Sequence, residues 1–167
     1  RMYATYPMEK RSMCIFDEAH LLNDLFVEHN AIYFSEKRLT QFADEIGEQL
    51  EMGYSDIFKD IKQIKSDMIA GRITDETYQG YLKALQVIYN DVSGIAKERA
   101  DRNLRQPTKY LKLQRISKKY HDLACKIDDL FIFNYPHVFE HKPKDLKKGQ
   151  NEHEVSVKPI FIGEMFE

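Results

Sequence analysis

Asp17, Glu18, Ala19 and His20 follow directly on the apolar run Met13-Cys14-Ile15-Phe16. A short apolar run that stops abruptly at acids reads as a buried strand. An acid at the C-terminal end of a buried parallel strand is placed to hold Mg²⁺ through water. A second acid beside it can orient and deprotonate an attacking water, so Asp followed by Glu matches the division of labour that nucleotide hydrolysis needs. The plainer alternative is that Asp17 caps a helix beginning at Glu18.

Other residues offer weaker chemistry. His121 and Cys125, and likewise His137 and His141, stand four apart, a spacing that can present two metal ligands on one helix face. Neither pair has a third ligand close by in sequence, and His137 and His141 fall in a segment that reads as extended. Tyr78, Tyr81 and Tyr120 could stack on bases, but they lie on apolar seams where core packing is the stronger expectation. Between Lys97 and Lys119 there are nine basic residues and two acidic ones, so this stretch carries +7 and the remainder −9 in a chain of net charge −2. The overall charge excludes a global attraction to nucleic acid and leaves a local basic surface available. These charges fall mostly off the apolar seams, so a solvated helix face competes with a phosphate-binding one.

Three zones must position these groups. Residues 1–34 hold the strands Met13 to Phe16 and Ala31 to Phe34. Residues 35–134 have helical periodicity. Ser35 is placed as an N-cap, followed by Leu39, Phe42, Ala43, Ile46 and Leu50 on one face up to Gly53. A second helix runs from Asp56 to Ala70 with Ile57, Ile61, Ile64 and Met68 in register and Gly71 as its C-cap, and Thr74 or Asp75 caps the next. Tyr78, Tyr81, Leu85, Ile88, Val92 and Ile95 then alternate three and four apart, and after Pro107 so do Leu113, Ile116, Tyr120, Leu123, Ile127 and Leu130. These two seams predict an antiparallel helical hairpin of roughly 35–40 Å, its far end around Arg105 to Lys109. Residues 135–167 read as extended, with Val138 to Glu140, a polar loop from Lys142 to Asn151, and a return strand from Glu154 that Pro159 interrupts. The expected fold class is mostly α with a small β portion.

With 167 residues, 43% apolar and 31% charged, the chain has the composition of one soluble, helix-rich domain. No apolar run approaches the roughly 20 residues of a membrane helix, so no membrane partner is expected. Cys14 and Cys125 cannot build a disulfide framework, which favours a reducing compartment, cytoplasmic or, in a eukaryote, nuclear. A chain that starts at Arg1 with no leader pattern reads as a piece of something longer.

The residues from Phe16 to Leu22, together with Tyr6-Pro7, Lys10-Arg11-Ser12 and the strand Met13 to Phe16, resemble the XPD/DinG-like DNA helicases of superfamily 2, whose second helicase motif is a DEAH box. The layout that follows is similar as well. It runs through the strand Ala31 to Phe34, a helix start at Ser35-Glu36-Lys37-Arg38-Leu39, about 100 helical residues where that family inserts its Arch domain, and Val157-Lys158-Pro159-Ile160 leading toward the third motif. The resemblance implies a segment of an ATP-dependent 5′–3′ helicase of the DNA-repair type, with residues 1–34 and 135–167 belonging to the motor and 35–134 to the Arch. It assigns Asp17 to Mg²⁺ through water, Glu18 to general-base catalysis of ATP hydrolysis, and His20 to coupling nucleotide state to the nucleic-acid side. It implies single-stranded DNA as partner, and Arg102, Arg105, Lys109 and Lys112, which flank the Pro107 turn off the apolar seam, are placed to reach its phosphates. It also implies a 4Fe-4S cluster in the parent protein, whose ligands would precede Arg1. No Gly-x-x-x-x-Gly-Lys-Ser/Thr phosphate loop occurs in the chain, so alone it is expected neither to hydrolyse ATP nor to unwind DNA. The rival expectation is a helical platform that docks a regulatory protein partner without catalysis.

Overall fold

The computed structural model describes residues 22–50, 56–132, 136–146 and 150–160. Asp17, Glu18 and His20, the strand expected at Met13 to Phe16, and Gly53 lie outside the described residues. The described chain is mostly helical with a small sheet. In order it forms α1 (Leu22–Asn30), β1 (Ile32–Ser35), α2 (Glu36–Leu50), α3 (Asp56–Ile69), α4 (Tyr78–Arg102), α5 (Pro107–Ile132), β2 (His137–Leu146) and β3 (Gln150–Pro159).

Ser35 ends β1 and starts α2. Its Oγ accepts the Arg38 backbone N–H at 3.3 Å and donates to Glu152 Oε1 at 2.9 Å, so the expected N-cap also ties the helix to β3. Leu39, Phe42, Ile46 and Leu50 are buried on one face of α2, and Ile61, Ile64 and Met68 on one face of α3. Gly71 closes α3 with φ of 69°, a left-handed conformation that a side chain resists.

The next helix starts later than Thr74 or Asp75. Thr77 precedes Tyr78, and its Oγ1 accepts the Thr74 N–H and donates to the Arg72 carbonyl, both at 2.9 Å. Its hydroxyl is spent within the turn, so it makes no cap bond to the helix it precedes.

α4 and α5 form the expected antiparallel hairpin, with 25 and 26 residues in its arms. The seam differs in detail. Leu82, Ser93, Ala96 and Ala100 are buried on α4 and Ser117 and Ala124 on α5, while Leu123 is 37% exposed and Tyr81 and Ile95 sit at the margin. Ser93 Oγ donates to the Ser117 carbonyl at 2.8 Å and Ser117 Oγ to the Ser93 carbonyl at 3.0 Å, a reciprocal clasp possible only where small residues let two backbones approach.

The three strands form an antiparallel sheet in the order β1-β3-β2. Phe34 faces Val155, Ile32 faces Val157, and Val157 faces Phe139, so one apolar row crosses the sheet and packs toward the helices. β2 and β3 pair out to Leu146 and Gln150, so Lys142 to Leu146, expected in a loop from Lys142 to Asn151, are strand. Cross-strand pairing overrides the polar composition there. Pro159 ends β3 rather than interrupting it. No helix among the described residues is long and apolar enough to cross a membrane.

Candidate nucleic-acid interface

The far end of the hairpin is a tight turn. Asn103 N–H donates to Ala100 O at 2.8 Å, Asn103 Nδ2 to Arg99 O at 2.7 Å and Gln106 N–H to Asn103 O at 2.9 Å, which satisfies carbonyls that α4 leaves open. Pro107 then opens α5, where its missing N–H costs nothing. Arg102, Arg105, Lys109 and Lys112 are all exposed around this turn, off the apolar seam as the sequence requires.

They are not equivalent. Arg102 is ion-paired with Glu98 one turn back on α4. Lys109 and Lys112 both line the groove between α2 and α5 together with Glu48, and Lys112 also lines its continuation toward Lys119. Arg105 and Lys109 have no ion-pair partner among the described residues. Both stand at the positive N-terminal end of α5, so the backbone dipole adds to their charge.

Further along α5 the basic residues face acids. Arg115 and Lys119 line the same groove as Asp44, Glu45 and Glu48 of α2. Lys119 is ion-paired with Glu45, and Tyr120 donates to the same carboxylate from within the core. Burial pushes the Glu45 carboxyl up, but Lys119 and Tyr120 outweigh it and hold it below the usual range. Burial, then Glu45, raises the Tyr120 phenol far above its ordinary value, so it stays a donor. The basic stretch is therefore graded, ion-paired to α2 at Lys119 and without an ion pair among the described residues at Arg105 and Lys109. The acids responsible lie some 65 to 75 residues away in sequence, and only the packing of α2 on α5 brings them opposite.

The other candidates are placed as follows. Tyr78 and Tyr120 are buried, Tyr78 stacked on Phe139 at 4.8 Å and Tyr120 against Phe42 at 4.6 Å, so neither presents a ring to a base. Tyr81 donates to Asp67 at 2.9 Å. Cys125 Sγ lies 3.6 Å from His121 Nε2 on the outer side of α5. His137 and His141 are on β2; His137 meets the Tyr78 hydroxyl, and His141 Nδ1 donates to the Ile73 carbonyl at 3.2 Å. Among the described residues no group of three or more His, Cys, Asp or Glu is arranged around a metal site. No family model, curated protein or solved structure matches the chain.

Proposed function

We propose that the chain is the helical insertion of an XPD/DinG-like DNA helicase with its flanking motor strands, and that the end of its hairpin guides single-stranded DNA by contacts to phosphates. ATP hydrolysis in the intact enzyme falls to Asp17, Glu18 and His20, with Mg²⁺ held through Asp17, in the roles that the resemblance assigns. The observation that carries the guiding role is the position of Arg105 and Lys109. They are exposed cations without an ion pair among the described residues, at the end of the hairpin away from the sheet. Pairing of β1 with β3 also supports the reading. It brings the chain's entry into the helical unit beside its exit, with Ile32 opposite Val157, as an insertion requires.

The test is binding of an intact helicase containing this insertion to a fluorescent single strand over a range of salt. Arg105→Gln with Lys109→Gln leaves melting unchanged, since neither residue has an internal partner. It flattens the log–log salt slope by about 0.7 for each phosphate that is no longer neutralised. Unwinding falls more than ATPase. A double variant that binds and unwinds as the parent does refutes the guiding role and leaves the helical unit as a docking platform for a protein partner.

A further inference from the structure

A recess of about 130 Å³ lies where β1, α2, α4 and α5 meet. Leu85, Tyr89 and Ile127 line it together with two cations, Arg38 from the first turn of α2 and Lys126 from α5. Arg38 Nη1 donates to the Tyr33 carbonyl at 3.2 Å and its Cζ sits 5.6 Å from the Tyr33 ring centroid, which fixes the guanidinium without neutralising it. Lys126 is half-buried and has no ion-pair partner among the described residues. Glu28 is the carboxylate at the recess, and it is already committed, accepting from the Tyr33 hydroxyl at 2.8 Å and from Lys158 Nζ at 3.4 Å. Burial pushes the Lys126 ammonium below its usual range, Arg38 pushes it the same way, and Glu28 opposes them only in part.

Arg38 is exposed at the mouth of the recess and Lys126 is half-buried beneath it, so the unpaired Lys126 charge is the costly one, and an anion bridging the two would offset that cost. A guanidinium offers a planar fork of donors and an ammonium a compact point charge, a combination that suits the oxygens of a tetrahedral oxyanion. We propose that Arg38 and Lys126 bind a phosphate group in this recess, against Leu85, Tyr89 and Ile127. The volume admits the phosphate group itself and little more, so the rest of a phosphate-bearing molecule rests outside. There the half-exposed Leu123 provides an apolar rim. The site is independent of the hairpin end, because Arg38 and Lys126 lie at the sheet end of the helices.

The experiment is thermal unfolding of the full chain in sodium phosphate against sodium chloride at matched ionic strength, for the parent, Lys126→Met and Arg38→Gln. A second arm replaces inorganic phosphate by a short oligothymidylate. In chloride, Lys126→Met melts at or above the parent temperature, because it removes an unmatched charge. In phosphate the parent gains a saturable rise, roughly 3–6 °C at ten times the dissociation constant. The general stabilisation by an excluded salt is shared by every protein and does not saturate. Both variants lose the saturable part and keep the shared one. A Lys126-dependent rise with oligothymidylate alone assigns the phosphate to a nucleic-acid backbone, and one with inorganic phosphate assigns it to a small molecule. Equal rises in parent and variants, or a Lys126→Met chain that melts well below the parent in chloride, overturn the proposal.

Discussion

Asp67 is the most heavily bonded carboxylate at the corner where α3 turns into α4. It is buried at 6% exposure and accepts from Arg72 Nε at 2.7 Å, Gln63 Nε2 at 2.8 Å and the Tyr81 hydroxyl at 2.9 Å. Burial alone would raise its pKa, but Arg72, Tyr81 and Gln63 more than offset it and hold the carboxyl below the usual aspartate range. A carboxyl whose folded pKa is depressed stabilises the fold above its unfolded value, about 3.9 for aspartate, and that stability is lost as pH falls through the folded value. Asp67→Asn is therefore expected to melt below the parent at neutral pH. The gap should narrow as pH falls below about 3.9. Melting curves across that range check it, and a gap that does not change with pH would place the role of Asp67 in shape rather than charge. Tyr89 gives a contrasting case: burial pushes its phenol up to about 12, with no acid involved.

The α4–α5 hairpin shows how far a pattern of threes and fours reaches. Leu85, Ile88, Val92, Leu113, Ile116, Ile127 and Leu130 fall on the buried seam as their spacing requires. The same spacing points to Leu123, yet Ala124 is fully buried in its place. The reason is distance. Where Ser93, Ala96, Ser117 and Ala124 line the contact, the helices approach too closely for a leucine, and an apolarity pattern does not count small residues as core. The sheet shows the same limit from the other side, since the half of β2 from Lys142 to Leu146 reads as a loop until its pairing with β3 is seen. The grading of the basic stretch is equally out of reach of the sequence, because Glu45 and Lys119 meet only in the folded chain. Ser117→Ala removes one hydroxyl and keeps the close approach, so it is expected to cost no more than about 1 kcal/mol. Ser117→Leu forces the helices apart and is expected to cost about 1–3 kcal/mol. Denaturant unfolding of the two variants gives the order, and a leucine as mild as the alanine would mean that the helices do not touch at this level.

At the scale of the whole molecule, sheet and helices share one core. Phe34 on β1 and Val155 and Val157 on β3 belong to the same buried cluster as Leu39, Leu82, Leu85 and Ile127. Segments from both ends of the described chain thus meet at the base of the hairpin. The sheet leans on the helices, since β1 has only four residues and the apolar row across the sheet is buried against them. The helices in turn depend on the sheet to cover the base of their seam. A defect in the sheet must therefore be felt in the helices. Phe34→Ala, at a side chain 2% exposed, is expected to cost about 3–5 kcal/mol through reduced burial and the cavity left behind. The informative readout is cooperativity. Helical ellipticity and the near-ultraviolet tyrosine signal, to which Tyr33 on β1 and Tyr78 stacked on Phe139 of β2 contribute, should move to lower temperature together, as a single transition. If the tyrosine signal shifts while the helical signal keeps its parent midpoint, the hairpin folds independently of the strands that carry it. Its orientation relative to those strands would then no longer be fixed by a common core, and the directed placement of Arg105 and Lys109 would have to come from elsewhere.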